Sequence, residues 1–130
     1  EVDIYFSGHV HHYERNWPVY QDQVPSTDPA TAYQNPRDTT YVMIGGAGND
    51  EMDDSQVSDP SPNDKTGKNF VGKSKWRESD DSGPWTASVD QGHFGIGLVN
   101  IVDDQTLKFS YVRTTTGEVY DSFTLVREHL

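Results

Sequence analysis

The 130-residue sequence contains no cysteine, which excludes disulfide bonds and thiolate metal ligands. This absence does not decide the redox compartment, because a well-packed secreted domain can fold without disulfides. No stretch approaches the roughly 20 apolar residues that a membrane-spanning helix needs, so we expect no membrane segment. The length suits one modest hydrophobic core, and we expect residues 1–130 to form a single unit.

Basic residues are scarce as well. Ten Lys and Arg against 21 Asp and Glu give a formal net charge of -11, which would repel nucleic-acid phosphates and anionic lipids. We therefore expect neither nucleic acid nor a membrane as a partner. Much of the acidic excess lies in residues 50–84, where abundant Ser, Asp, Asn, Gly and Pro predict a long solvated loop, the acidic loop.

Short runs of β-branched and aromatic residues predict a mostly β structure. Residues 2–6 and 40–44 are each followed by glycines, so two strands are expected to end in tight turns. Residues 94–102, 107–114 and 119–127 are separated by polar turn residues and predict an antiparallel meander. Trp17 to Thr39 contains four prolines, which predict a long surface loop without regular strands. No amphipathic helix of ordinary length is expected.

Two histidines follow the first strand in the sequence Gly8-His9-Val10-His11. Residues at i and i+2 of extended backbone point the same way, so both imidazoles can reach adjacent positions around one metal centre. Imidazole nitrogen binds zinc, iron and manganese without a large proton cost near pH 7. Taken alone, however, an H-x-H pair is more often a structural or surface feature, since histidine is common in turns.

The longer stretch from Val2 to Arg15 resembles the last metal-binding motif of the purple acid phosphatases, a hydrophobic strand followed by G-H-V-H-x-Y-E-R. The similarity continues in the strand and glycine turn of residues 41–49, in residues 94–98, and in the terminal strands with Gly117 and Asp121. The acidic loop matches poorly. The first residue, Glu1, is not Met and a strand-like run follows it at once, so we expect the chain to be a piece of a longer protein.

This resemblance implies an α/β fold. The chain would be the C-terminal portion of a metallophosphatase β-sandwich with flanking helices, and would itself be mostly β with long loops. Residues 1–49 would form the strands and turns of the metal site, residues 50–84 the acidic loop, and residues 85–130 the C-terminal β meander.

The resemblance also implies a hydrolase, an acid phosphatase that acts on phosphate monoesters at a dinuclear metal centre of Fe(III) with Zn(II), Mn(II) or Fe(II). It assigns the divalent metal to His9 and the ferric iron to His11. The family's other ligands belong to upstream motifs that this sequence lacks, so the missing N-terminal part is an implied partner and the isolated chain is expected to be inactive. A secreted or vacuolar location is implied in the same way.

Two alternatives stay open at this stage. One keeps the metal chemistry of the calcineurin-like metallophosphoesterase superfamily but changes the substrate to a phosphodiester or a nucleotide. The other is a non-catalytic, β-rich binding module that retains the H-x-H turn.

The remaining polar residues have simpler interpretations. His12 is expected to point away from the metals, and Tyr13, Glu14 and Arg15 to hold the turn in place, through a contact between Glu14 and Arg15. The carboxylates after the glycine turn indicate a solvated loop rather than a calcium site, because the EF-hand spacing is not met. Two further histidines are expected to be ordinary surface or core-edge residues, His93 and His129.

Overall fold

The computed structural model describes residues 2–48 and 84–128. This part of the chain contains seven β-strands and no helix. In chain order the strands are β1 (Ile4–Ser7), β2 (Tyr13–Asn16), β3 (Thr40–Ile44), β4 (Thr86–Asp90), β5 (Gly95–Ile101), β6 (Thr106–Arg113) and β7 (Val119–Val126). The predicted mostly β character is confirmed, whereas the acidic loop, apart from Pro84, lies outside the described residues. Within the two described ranges, no helix is long and apolar enough to cross a membrane.

The strands form two sheets. The first has the order β1-β3-β2-β4, with β1 and β3 parallel and the other neighbours antiparallel. The second is the predicted antiparallel meander, β5-β6-β7. Because β3 lies between β1 and β2, the short connection from β1 to β2 must cross over the carboxyl end of β3.

Three turns meet at one edge of the first sheet. The parallel strands β1 and β3 both end there, and β2 begins there, since Tyr13 lies opposite Ile44. The antiparallel strand β4 also ends there, since Asp90 lies opposite Tyr13 on its other side. We call this region, which comprises residues 8–12, 45–48 and 91–94, the turn edge.

Aromatic side chains fill the space between the sheets. Tyr13 stacks on Tyr111 with ring centroids 4.0 Å apart and ring planes 10° from parallel. Phe109 contacts Phe6 at a centroid distance of 5.7 Å and Phe123 at 5.4 Å. Such rings bury large apolar areas, so these contacts join β1 and β2 of one sheet to β6 and β7 of the other. The buried core cluster is Tyr13, Ala32, Tyr33, Val42, Phe109, Tyr111, Phe123 and Leu125.

The proline-rich connection between β2 and β3 contains no named strand, as predicted, but it is not only a surface loop. Tyr33 is 2% exposed, and its ring lies 4.7 Å from that of Phe123 and 5.8 Å from that of Trp17. Its carbonyl accepts a hydrogen bond of 2.9 Å from the backbone N–H of Val126. The connection therefore contributes core residues and is attached to β7.

Candidate metal site

His9 and His11 lie on the crossover turn between β1 and β2. His9 is exposed and has φ 75°, a left-handed conformation that is uncommon for a residue with a Cβ. Such backbone costs on the order of 1–3 kcal/mol and persists where surrounding contacts impose it, often at functional sites. His11 is half-buried. The turn thus holds the two imidazoles on a backbone whose shape is set by its surroundings.

Gly45, which directly follows β3, is in close backbone contact with this turn. Its backbone N–H donates a hydrogen bond of 3.1 Å to the carbonyl of His12, and the N–H of His12 donates one of 2.9 Å to the carbonyl of Val10. A Cβ built on Gly45 would lie 2.0 Å from the carbonyl oxygen of Val10. The crossover can therefore approach the end of β3 only because residue 45 has no side chain.

His12 extends from the end of the turn into a buried polar contact. Its side chain is 7% exposed, and its Nε2 lies 3.3 Å from Oε2 of Glu14. The other oxygen of Glu14 accepts a hydrogen bond of 2.9 Å from the Thr86 hydroxyl. These contacts join the start of β2 to β4. No partner for Nδ1 of His12 occurs among the described residues.

Arg15 lies on the opposite face of β2, so the predicted contact between Glu14 and Arg15 is wrong. Neighbouring residues of a strand point to opposite sides of the sheet. Arg15 instead forms a bidentate ion pair with Asp121 of β7, in which Nε lies 2.7 Å from Oδ2 and Nη2 lies 3.0 Å from Oδ1. The Tyr13 hydroxyl donates a third hydrogen bond of 2.6 Å to Oδ2 of Asp121. Strand β2, which directly follows the crossover turn, is thereby joined to the second sheet.

Aromatic rings enclose this ion pair. The guanidinium carbon of Arg15 lies 5.3 to 5.6 Å from the ring centroids of Trp17, Tyr33 and Phe123. Burial raises the pKa of Tyr33 to about 12, and burial together with the charge of Asp121 raises the pKa of Tyr13 still further. Burial alone would lower the pKa of Arg15, but its bonds to Asp121 outweigh that effect and raise the pKa. Arg15 is therefore charged and both tyrosines are neutral hydrogen-bond donors.

A second buried network lies at the turn edge, around Asp90. This carboxylate is 0% exposed and accepts a hydrogen bond of 2.7 Å from Nε of Arg113. Its other oxygen lies 2.9 Å from Nδ1 of His93 and 3.3 Å from the backbone N–H of Gly92. Burial by itself raises the pKa of Asp90, but the hydrogen bonds from His93 and Arg113 outweigh it and hold the pKa below its usual range. Arg113 also bonds to Glu118 at 3.0 Å.

The lowered pKa of Asp90 predicts a loss of stability in acid. A group whose pKa is lower in the folded state than in the unfolded state stabilises the fold. This contribution is fully present above the unfolded-state pKa, which is about 3.9 for Asp, and it is lost as the pH falls through the folded-state pKa. We expect the melting temperature of the full-length protein to decrease when the pH drops below about 4. In Asp90→Asn the melting temperature should be lower at neutral pH but should fall less steeply in acid. An equally steep acid decline in both proteins would contradict this assignment.

His9 and His11 are suitable as part of a metal site but not as all of it. No group of three or more His, Cys, Asp or Glu side chains is placed to hold a metal ion anywhere in residues 2–48 and 84–128. A metal of the zinc or iron type takes at least three protein ligands, or shares bridging carboxylates. Two exposed or half-exposed imidazoles on one turn could supply only two donors of a larger site, and further ligands would have to come from outside the described residues.

Comparisons with known proteins show which family the chain resembles. Residues 65–122 match the family model described as iron/zinc purple acid phosphatase-like protein C. The structure superposes on a purple acid phosphatase isolated from yellow lupin (Lupinus luteus) seeds with a TM-score of 0.69 and 27% identity, over 98% of this chain and 18% of the lupin chain. The chain resembles the C-terminal part of the purple acid phosphatases. The predicted resemblance and fold, the mostly β C-terminal portion of such a protein, are confirmed.

The relatives of this chain carry differing names. A protein of Arabidopsis thaliana named probable inactive purple acid phosphatase 24 is 31% identical, over 99% of this chain and 17% of its own length. A protein of Hordeum vulgare named nucleotide pyrophosphatase/phosphodiesterase is 29% identical over 129 residues, which cover 98% of this chain and 28% of its own length. The chain thus spans less than a third of each of these relatives.

The two buried ion pairs were not predicted, although the strands contain a signal for them. Arg113 continues the alternation of the buried residues Phe109 and Tyr111, and Asp121 begins that of Phe123 and Leu125. Alternation alone therefore places both charged residues on the core face of the meander. His93 was predicted to be an ordinary surface or core-edge residue. It lies at the edge of the core, where its ring contacts the buried carboxylate of Asp90.

Proposed function

We propose that the full-length protein is an acid phosphatase that hydrolyses phosphate monoesters at a dinuclear metal centre to which His9 and His11 contribute ligands. The observation that supports this most directly is the H-x-H turn held against Gly45, in a chain that resembles the purple acid phosphatases. The proposed centre is Fe(III) with Zn(II), Mn(II) or Fe(II). The remaining ligands would come from the N-terminal part of the same protein, and a secreted or vacuolar location accords with the family resemblance.

The chain's own residues would act by holding and orienting ligands. A two-metal centre supplies an acidified water and positive charge for the phosphoryl oxygens. His9 and His11 would hold that centre from one turn, whose path is set by its contact with Gly45. The ion pair between Arg15 and Asp121 would keep the following strand in place against the second sheet. Supporting contacts of this kind matter because loosely held ligands lose metal affinity and activity.

Alanine at each histidine tests this proposal. In the full-length protein, His9→Ala and His11→Ala should each lower the metal content measured by elemental analysis. Each should also reduce kcat/KM for p-nitrophenyl phosphate at acid pH by at least about 100-fold, since changing even the residues that support a ligand costs 10- to 100-fold.

Val10→Ala is the matched control, because Val10 lies between the two histidines and its side chain is exposed. It should keep the metal content and activity of the unchanged protein. Full metal content and activity in both histidine variants would reject His9 and His11 as ligands.

The barley relative's printed name supports a second candidate, hydrolysis of phosphodiesters or nucleotide pyrophosphates. Comparing kcat/KM for p-nitrophenyl phosphate, bis(p-nitrophenyl) phosphate and a nucleoside triphosphate distinguishes the two. The Arabidopsis relative's name, which includes the words probable inactive, supports the third candidate, a non-catalytic binding module. A fully metal-loaded protein that hydrolyses none of the three substrates would favour that reading.

A further inference from the structure

Histidines are concentrated at the turn edge. Four of the five histidines in the sequence lie there, on two turns that approach from different strands: His9, His11, His12 and His93. The glycine turn after β3 bonds to the first of these turns and to the first residue of β5, which directly follows the second turn. The N–H of Gly45 donates to the carbonyl of His12, and the carbonyl of Gly46 accepts from the N–H of Gly95, each at 3.1 Å. The turn that contains His93 and the turn that contains the H-x-H pair therefore lie on opposite sides of the glycine turn.

The orientation of the His93 ring is fixed by a buried acid. Asp90 is a carboxylate, because its pKa is held low, and a carboxylate only accepts hydrogen bonds. Nδ1 of His93 therefore carries the hydrogen of the 2.9 Å bond. Asp90 is itself held by Arg113 and by the N–H of Gly92. A carboxylate on one imidazole nitrogen sets the tautomer and direction of the ring and leaves the other nitrogen for a ligand or substrate.

Nε2 of His93 is the remaining polar atom of the ring. The His93 side chain is 13% exposed. Among the described residues, the ring forms one hydrogen bond, which is made by Nδ1. The ring contacts Asp90 on β4, Asp90 pairs with Arg113 on β6, and Arg113 pairs in turn with Glu118 in the turn before β7. An imidazole that carries a hydrogen on both ring nitrogens donates from Nε2, which suits an anionic oxygen.

We propose that His93 is a substrate-contacting residue, whose Nε2 hydrogen-bonds to a phosphoryl oxygen of an ester held at the turn edge, while Asp90 positions the ring. This rests on the proposed function and adds a residue outside the H-x-H motif to that site. The same contact would bind inorganic phosphate, the product of the reaction.

Two variants separate this role from a purely structural one. The side-chain amide of Asn takes the place of Nδ1, so His93→Asn keeps the bond to Asp90 and loses the donor at Nε2. Gln reaches the place of Nε2, so His93→Gln keeps that donor and loses the bond to Asp90. In the metal-loaded full-length protein, His93→Asn should reduce kcat/KM for p-nitrophenyl phosphate and weaken inhibition by inorganic phosphate, each roughly 10- to 100-fold, the size of one hydrogen bond to a charged group.

His93→Asn should also keep the metal content and melting temperature of the unchanged protein, whereas His93→Gln should melt at a lower temperature and keep more of the activity. Unchanged kcat/KM and phosphate inhibition in His93→Asn would overturn the proposal and leave His93 as a structural part of the turn. If the unchanged protein hydrolyses no phosphate ester, the proposed function fails first. Calorimetric titration of the unchanged protein and of His93→Asn with inorganic phosphate then tests the contact. Equal binding by these two proteins, or binding by neither, would reject it.

Discussion

Replacing Gly45 with alanine is expected to lower the free energy of unfolding of the full-length protein by about 3 kcal/mol or more, at the upper end of the cost of overpacking. The added Cβ would lie 2.0 Å from the carbonyl oxygen of Val10, and a backbone oxygen cannot rotate away as a side chain could. Either the crossover turn moves off the end of β3 or β3 shifts within the sheet. Both changes displace His9 and His11, so metal content should fall together with the denaturant midpoint.

Gly8→Ala is the matched control for this prediction, measured by the same denaturation experiment. Gly8 lies in the same turn, but a Cβ there would have no heavy atom within 4 Å, and its φ is not in the left-handed region. Alanine at such a position changes stability by about 1 kcal/mol at most. Equal destabilisation by Gly8→Ala and Gly45→Ala would show that the close approach to Val10 is not the cause.

Asp121→Ala is expected to destabilise the full-length protein by about 3–5 kcal/mol, because it removes one partner of a buried ion pair. Arg15 would keep its charge at 6% exposure, and the hydroxyl of Tyr13 would lose its acceptor. Chemical denaturation of the metal-free protein measures this loss without a contribution from metal binding. Asp104→Ala is a suitable surface control, since Asp104 is exposed, and it should change stability little.

The double variant Arg15→Met with Asp121→Leu tests the cause of that loss. Replacing both charges with apolar side chains of similar size removes the unpaired cation, so much of the stability should return. A double variant at least as unstable as Asp121→Ala would indicate that the loss comes from altered packing rather than from an uncompensated charge.

Local sequence patterns were sufficient for five of the seven strands. Strand β3 occupies the residues predicted for it, 40–44, and each strand of the meander agrees to within a residue at either end. The prediction placed the first strand at residues 2–6, whereas β1 is Ile4–Ser7. These segments are rich in β-branched and aromatic residues, and their pairing partners in the meander are close in sequence. Short-range information is therefore enough to identify them.

Strands β2 and β4 were not predicted, because their strand character depends on distant contacts. The sequence of β2 is Tyr-Glu-Arg-Asn, which has no apolar run and no hairpin partner nearby. It pairs with β3 on one side and with β4 on the other. Its Arg15 can face the core only because Asp121, 106 residues later, neutralises it. The same holds for Asp90 in β4, which is balanced by Arg113 of the second sheet.

The sequence by itself determined the mostly β character of this chain, the H-x-H pair after the first strand, and the resemblance to the purple acid phosphatases. These follow from residue types and short spacings, which local backbone preferences and motifs express directly. Only the tertiary structure decided that the crossover turn lies on Gly45, that His93 shares its edge, and that Arg15 and Arg113 each meet a buried acid. Those arrangements join residues about 20 to 110 positions apart, and they depend on the order of strands in the sheets, which local preferences do not encode.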